Sequence, residues 1–352
     1  MHLANRVVAG VIIFFCGLPA LASVNSLWPD YYSNGMTLNT VQLGLQSLCS
    51  VFPVKNSAMP CNPAMLTVAP QSFSEANIYV GNAYDEVKKI RDLLKEEKSL
   101  DFIETLFDQG ELLRAQGGIG LAFRSKHFAG AFVPYHVTYH SQLRNPYHPI
   151  LSVHAMQERS LSGQVGGAFD RDFFWGVQLR YVHREFVDDE FSLYDELASS
   201  ETILNVKKQQ ALYFEPGIVY KLSEGWDSYF SALMTNWGTA DKDYDEVSFS
   251  PQFDLGFSVV PPLELGQLSL GVVFRANRDS KTLNEMWRLG GTYELGLMGA
   301  QWGWSDRDLS LGVTTSFDKL KVGLLYKREK WEKFGGFKLE DDALYSEFAL
   351  VF

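Results

Sequence analysis

The stretch DLSLGVTTSF, Asp308–Phe317, decides the fold because large residues alternate with small or polar ones along its whole length. One face of an extended chain would carry Leu309, Leu311, Val313, Thr315 and Phe317, and the other Ser310, Gly312, Thr314 and Ser316. A period of two is the period of a β-strand. The same alternation recurs in residues 267–275 and 173–184. These segments therefore predict strands with one apolar face and one small or polar face.

Such segments follow one another from residue 117 to the end of the chain, separated by turn residues. A soluble β-sandwich also alternates, but its outward faces carry charge at most second positions. Here the polar faces carry mainly Gly, Ser, Thr and Gln, while aromatic residues stand near segment ends. That pattern is typical of a barrel with its apolar face toward lipid. The predicted fold is an all-β transmembrane antiparallel β-barrel of 12–14 strands.

The strand count rests on short turns that alternate with long polar loops. Fourteen strands result, so that both termini lie on the periplasmic side. The predicted strands are 76–82, 117–124, 128–143, 151–169, 173–187, 208–221, 227–237, 251–260, 267–276, 286–296, 298–305, 308–317, 320–330 and 343–352.

The first 22 residues have the pattern of a secretory signal peptide, in which Arg6 precedes an apolar run of about 15 residues and cleavage follows Ala22. That run is shorter than the roughly 20 residues of a membrane-spanning helix. The chain has a net charge of −11 and no basic cluster, which excludes nucleic acid as a partner. We therefore expect an exported protein of the outer membrane, with outer-membrane lipid and lipopolysaccharide as neighbours.

Residues 23–75 contain several prolines and no long periodic run, so they predict an N-terminal plug (hatch) or a periplasmic segment, ahead of a barrel at 76–352. Cys49 and Cys61 are expected to form a disulfide in an oxidising compartment. No CxxC motif or histidine cluster accompanies them, so no metal and no cofactor are expected. Residues 84–114 have helical spacing of apolar residues and predict a short helical insert, either a lid or a loop that packs on the rim.

Charged residues on the polar faces are candidates for the lumen. Their mixed signs favour ion pairs across the lumen over an anion-selective constriction, or else a salt-bridged interior that only stabilises the barrel. The nine candidates are Arg180, Arg184, Glu215, Asp254, Arg275, Arg288, Glu294, Lys321 and Lys327.

The end of the chain places Phe348, Leu350 and Phe352 on one face of a terminal strand. An apolar strand that ends in Phe looks like the signal that the outer-membrane assembly machinery recognises. Ser346 departs from an unbroken apolar face. We expect that machinery to be a partner.

The segment CNPAML at residues 61–66, followed by a strand, a helical stretch and GGIGLAF at 117–123, resembles the first part of FadL-type outer-membrane proteins and their TraF-like relatives. RLGGTY at residues 288–293 is similar to their last strands. The resemblance implies a fourteen-stranded barrel whose hatch contains the plug motif Asn62, Pro63 and Ala64 and takes part in the passage of hydrophobic molecules.

The predicted function is therefore a passive channel or carrier for small hydrophobic molecules. The alternative is a non-transporting surface or assembly scaffold of a conjugation or secretion system. An enzyme is not expected, because no histidine stands where a strand would bring it to a nucleophile: His140 and Ser141 are adjacent and would point to opposite faces. No catalytic residues are assigned.

Overall fold

The computed structural model describes residues 39–53, 59–81, 112–144, 150–192, 206–223, 226–240, 251–276, 283–332 and 338–352. Within these ranges, fifteen strand segments form one antiparallel sheet that closes on itself through the pairing of β5 with β6. The segments are β1 (Phe73–Gly81), β2 (Leu112–Arg124), β3 (Phe128–Arg144), β4 (Ile150–Ala168), β5 (Phe173–Ser192), β6 (Lys207–Ser223), β7 (Asp227–Thr235), β8 (Gly238–Ala240), β9 (Gln252–Val260), β10 (Gln267–Ala276), β11 (Trp287–Leu295), β12 (Met298–Ser305), β13 (Asp308–Phe317), β14 (Leu320–Glu332) and β15 (Lys338–Val351).

The wall has fourteen positions, because β7 and β8 are two pieces of one strand that both pair with β6. Asn236 separates the two pieces and has a positive φ of 57°. The predicted closed β-barrel of fourteen strands is confirmed. Short turns such as 170–172 and 318–319 lie at one end, here called the turn end, and the opposite end is called the loop end.

The two faces of the wall separate as the alternation predicts. Large apolar side chains are exposed on the outer face, for example Leu161, Leu179, Leu311 and Phe348 at 59%, 53%, 49% and 55% exposure. The inner face carries buried polar and small residues, and nearly every second strand residue belongs to it. An apolar outer band around a polar interior is the surface of a transmembrane barrel. No helix among the described residues has the length and hydropathy needed to cross a membrane.

Several strands are longer than the sequence predicted. β1 begins at Phe73 and not at residue 76, because Phe73 to Glu75 continue the ladder with β2. Residues 112–114, assigned above to the helical insert, belong to β2. β5 runs to Ser192 and β15 begins at Lys338, so acidic residues assigned to loops lie on paired strands. Hydrogen-bonded pairing continues past the point where the apolar alternation stops. The signal peptide, residues 23–38 and the rest of the helical insert lie outside the described residues.

The barrel closes between its first and last strands. β1 and β15 pair in register from Glu75 opposite Val351 to Gly81 opposite Tyr345. The Phe352 N–H donates to the Ser74 carbonyl at 2.9 Å, and the Ser74 N–H donates to the Phe352 carbonyl at 3.1 Å. The N–H and the carbonyl of Phe352 therefore make the last two backbone hydrogen bonds between β15 and β1.

Deleting Phe352 should lower the amount of folded barrel several-fold. The deletion removes two seam hydrogen bonds and one of the exposed apolar residues at the end of β15. Heat-modifiable migration of membrane fractions measures the folded amount. Phe317→Ala, which removes another exposed ring at the turn end, is the control and should leave it unchanged. Equal amounts for the deletion and the wild type would contradict a role in assembly.

One place in the wall lacks regular pairing on both sides of a strand. In β3 the register with β2 shifts between Ile119 and Leu121, and the register with β4 shifts between Val133 and His136. Pro134 lies inside this break and has no N–H to donate to a ladder. The β3 break therefore weakens the wall between β2 and β4.

The N-terminal segment lies inside the barrel. It contains helix α1 (Thr40–Leu45), a 3-10 helix (Gln46–Ser50) and helix α2 (Met65–Val68). We call residues 39–53 the first half of the plug and residues 59–72 the second half. Helix α1 and the 3-10 helix contact the wall from β9 to β15, whereas α2 contacts β4 and β5 on another side of the lumen. The described part of the segment thus packs against the inner face of the wall on two sides of the lumen.

Candidate functional site: the plug and its seat

The two halves of the plug are tied together inside the lumen. Cys49 and Cys61 form a disulfide with their Cα atoms 5.6 Å apart. Beside it, the Gln42 side chain donates from Nε2 to the Met59 carbonyl at 2.7 Å. The second half of the plug continues directly into β1. The disulfide therefore links the first half to a segment that is anchored in the wall, in addition to the first half's own contacts with the wall.

The Asn-Pro-Ala motif rests on a platform of bare backbone. Gly166, Gly176 and Gly217 lie opposite one another on β4, β5 and β6. A Cβ on Gly176 would lie 2.3 Å from the Pro63 carbonyl carbon, and one on Gly217 would lie 2.1 Å from Asn62 Oδ1. Only glycine admits so close an approach of two backbones. We call these three residues the glycine platform.

Asn62 fixes the turn that sits on this platform and is fully buried. Its Oδ1 accepts from the Ala64 N–H at 3.0 Å, which is a local turn closed by a side chain. Its Nδ2 lies 3.4 Å from the carbonyls of Ile218 and Ala232 in the wall. The motif therefore docks the second half of the plug against β6 and β7.

A second row of small residues receives the first half of the plug. Ser258, Gly271, Gly290, Gly303 and Ser310 lie opposite one another on five successive strands, β9 to β13. A Cβ on Gly271 would lie 2.8 Å from the Phe52 ring, and one on Gly290 would lie 2.5 Å from Leu48 Cδ1. The row leaves room for the buried side chains of the 3-10 helix and the residues that follow it.

Wall side chains donate hydrogen bonds to plug carbonyls around the lumen. In the first half, Gln301 Nε2 donates to Thr40 at 3.0 Å, Ser310 Oγ to Gly44 at 2.6 Å and Ser258 Oγ to Val51 at 2.7 Å. In the second half, Gln164 Nε2 donates to Pro60 at 2.8 Å, and Arg124 Nη2 donates to Met65 and Ala69 at 3.2 and 2.6 Å. These bonds give carbonyls of the plug hydrogen-bond partners in the wall.

A buried carboxylate holds the start of α1. Glu347 accepts at Oε2 from the Thr40 N–H at 2.8 Å and also from the Thr40 hydroxyl. Its other oxygen lies 3.2 Å from Lys321 Nζ, and that ammonium lies 3.9 Å from Glu75. All three charged side chains are at most 3% exposed. This group, called the seam latch, joins the plug to β14, β15 and β1.

Replacing Glu347 with alanine should lower the free energy of unfolding by about 3 kcal/mol, because it removes the nearer of the two carboxylates beside the buried ammonium of Lys321 and leaves only Glu75, 3.9 Å away. Urea unfolding of the protein in detergent micelles measures the change. Arg328→Ala removes an exposed pair with Asp342 and should have little effect. Equal losses in the two variants would contradict the assignment of the seam latch as a buried anchor.

The nine charged residues predicted for the lumen all lie on the inner face of the wall. The ion pairs found among the described residues, however, run along the wall, within one strand or between strands that are neighbours or next neighbours, and none of these pairs crosses the lumen as expected. Arg180 pairs with Glu215 at 2.8 Å, Arg184 with Glu158 at 3.2 Å and Arg275 with both oxygens of Asp254 at 2.7 Å. Arg288 pairs with Asp308 and also donates to Gln46 of the plug, and Lys327 pairs with Glu329 on its own strand. Glu294 lines the cavity described below.

Sequence reasoning missed the partners of these charges, which are Glu75, Glu158, Asp308, Glu329 and Glu347. Four of them are inner-face residues of predicted or extended strands, so the alternation carried the signal. Glu75 was missed because the first strand was predicted to begin at residue 76, three residues after its observed start at Phe73.

One apolar stripe of the inner wall lies on β2 and β3. Ala122, Ala129, Ala131 and Val133 of β2 and β3 are buried together with Met59 and Leu66 of the plug. Val133 stands at the edge of the β3 break. The lumen thus offers an apolar surface at the place where the wall lacks regular pairing.

A cavity of ≈ 480 Å³, counted with its open mouth, lies between the plug and β10 to β13 near the turn end. Its lining is apolar on the plug side, with Val41, Phe52 and Pro53, and polar on the wall side, with Gln267 and Glu294 among others. It is a gap beside the first half of the plug. The gap alone does not show that the described lumen is open from one end to the other.

No protein-family model and no curated protein matches the sequence. Solved structures do resemble the fold. A TodX deltaS2S3 mutant, a monoaromatic hydrocarbon channel, gives a TM-score of 0.50 at 10% identity over 82% of this chain and 92% of that one. The CymD monoaromatic hydrocarbon channel gives 0.46 at 10% identity over 89% and 97%, and a Pseudomonas aeruginosa FadL homologue gives 0.43 at 11% over 88% and 95%.

Two CdiB structures, from Escherichia coli and Acinetobacter baumannii, also match, but this chain spans only 53% and 60% of their lengths. The likeness to the TodX mutant shows a shared barrel fold. The FadL-type resemblance read from the sequence is to that extent supported, whereas its TraF-like part stays a prediction.

Proposed function

We propose that this protein is an outer-membrane channel or carrier through which small hydrophobic molecules pass without an energy source. The observation that carries the proposal is the apolar stripe of β2 and β3 beside the β3 break. A hydrophobic molecule gains by leaving water for such a surface, and at the break the regular ladder of backbone hydrogen bonds is interrupted. The stripe is covered by Met59 and Leu66, so the plug controls access to it.

The substrate class is argued from the lining and from the shared fold. The side chains of the wall stripe are apolar, which suits neutral hydrophobic molecules. The TodX mutant is a monoaromatic hydrocarbon channel and shares the barrel fold. We propose substrates of that size for this chain and assign no catalysis to it.

The proposed location is the outer membrane, reached by means of the N-terminal signal peptide, with the turn end toward the periplasm and the loop end outside. The closed barrel with its apolar outer band supports a membrane location. Phe352 and the apolar end of β15 support recognition by the assembly machinery. The scaffold alternative would need no apolar path in the lumen, and no described feature favours it.

Making the stripe polar tests this function. Val133→Thr combined with Ala131→Ser keeps side-chain size nearly constant and adds two hydroxyls, which should slow uptake of a neutral hydrophobic dye by intact cells about tenfold. The control changes the residues directly opposite on β4, Ser160→Ala and Ser162→Ala, and should not slow uptake. Amounts of folded protein are matched by heat-modifiable migration. Wild-type uptake in the stripe variant would refute the proposed path.

A further inference from the structure

Basic side chains gather at one place on the outer face of the wall. Arg159, His183 and Lys208 lie on β4, β5 and β6, with Arg159 directly opposite His183 and Lys208 directly opposite Glu185. Arg159 and Lys208 are exposed, and His183 is partly exposed. We call these three basic residues the β4–β6 basic patch.

The patch lies at the edge of the apolar outer band, on its loop-end side. Toward the turn end, the outward residue after Arg159 on β4 is Leu161, and the one after His183 on β5 is Tyr181. On β6, Gln210 and then Leu212 follow Lys208. Leu161, Tyr181 and Leu212 are all exposed. The Tyr181 hydroxyl donates to Gln210 at 3.0 Å, so an aromatic ring with a polar tip marks the boundary. A lipid with its acyl chains on these residues would place its headgroup at the patch.

Among the described residues, the charges of the patch are only partly balanced. Glu185 is its one described carboxylate; it lies 3.0 Å from Lys208 and 3.9 Å from His183. Arg159 has no ion pair among the described residues. The second group of outward charges at the loop end is different, because Arg328 donates to both oxygens of Asp342 at 2.7 and 3.1 Å. Within the described residues, the patch therefore has three basic side chains for one carboxylate, whereas Arg328 has a carboxylate of its own.

We propose that the β4–β6 basic patch binds the phosphorylated headgroup of a lipopolysaccharide molecule. Arginine and lysine beside a bilayer attract anionic headgroups, and guanidinium donors match phosphate oxygens in pairs. The patch extends over three strands, about 10 Å at the usual strand spacing. That width suits a headgroup with two phosphates better than the single phosphate of a glycerophospholipid. This inference rests on the proposed outer-membrane location, with the loop end outside.

The test uses the purified full-length protein in detergent micelles, freed of bound lipid. A rough-type lipopolysaccharide is added, and bound molecules are counted by native mass spectrometry. Arg159→Gln combined with Lys208→Gln should raise the apparent Kd about tenfold or more. Arg328→Gln is the matched control, because it removes an outward arginine that is already paired, and its apparent Kd should stay within about twofold.

Phosphatidylglycerol and inorganic phosphate are measured in parallel to separate the possible sources of phosphate. Weaker binding of phosphatidylglycerol, with no dependence on the patch, supports the proposal, and so does a lack of competition by inorganic phosphate. Equal binding of wild type and double variant, or equal losses in the double variant and Arg328→Gln, would overturn it. A patch that prefers phosphatidylglycerol would also overturn it.

If the double variant does not fold, the single variants Arg159→Gln and Lys208→Gln are used, and each is expected to bind lipopolysaccharide several-fold more weakly. Dye uptake is assayed separately, so failure of the lipid site and failure of the transport function are distinguishable.

Discussion

Deletion of residues 27–61 is expected to yield an inserted barrel whose single-channel conductance in a planar bilayer is about tenfold or more above that of the full-length protein. The deletion removes the whole first half of the plug, including α1 and the 3-10 helix that cover the wall from β9 to β15. The deletion also removes residues 59–61 of the second half, but the rest of that half keeps Asn62 on the glycine platform and remains continuous with β1. Water can then enter the side of the lumen that the first half occupied.

The disulfide supplies an internal comparison for that deletion. Cys49→Ser combined with Cys61→Ser leaves the wall contacts of the first half in place and removes its tie to the second half, so a smaller rise in conductance is expected. Heat-modifiable migration confirms that each variant is folded. If the deleted barrel inserts and conducts no better than the intact protein, the plug does not close the lumen.

Replacing Gly176 with valine should displace the Asn-Pro-Ala turn from its platform. A Cβ at Gly176 would lie 2.3 Å from the Pro63 carbonyl carbon and 2.5 Å from the Ala64 nitrogen, and backbone atoms cannot yield as the end of a side chain does. Overpacking of this kind costs about 1–3 kcal/mol or more. We expect a lower free energy of unfolding together with a raised conductance, because the second half of the plug loses its seat.

Gly163→Val is the matched control for that substitution. Gly163 lies on β4 three residues before the platform, but on the outer face, where a Cβ would have no neighbour within 4 Å. Urea unfolding and planar-bilayer conductance are measured for both variants. Similar behaviour of Gly176→Val and Gly163→Val would mean that the platform does not position the plug.

The barrel could be predicted from the sequence because each strand carries its own signal. The alternation in Asp308–Phe317 is sufficient to assign Leu311 outward and Ser310 inward, and the structure agrees. Strand ends could not be predicted in the same way. Beyond the apolar band both faces become polar, and only pairing with a neighbour, as for Phe73 and Ser192, keeps the chain extended.

The glycine platform that receives the plug could not be predicted from the sequence, for a different reason. Gly176 and Gly217 are inward glycines that any reading of the alternation would find, but their function depends on lying opposite each other. Register is set by contacts between strands distant in sequence, and a single sequence does not display it. The same holds for Glu347, whose inward position was readable, whereas its contacts with Thr40 and Lys321 were not.

The central claim is that hydrophobic molecules cross the outer membrane through this plugged barrel. The most direct measurement compares cells with and without the full-length protein for the initial uptake of a neutral hydrophobic dye and of a polar solute of equal size. The account predicts that the protein speeds dye uptake several-fold and leaves uptake of the polar solute unchanged. Equal dye uptake with and without the protein, or an equal gain for both probes, would contradict it.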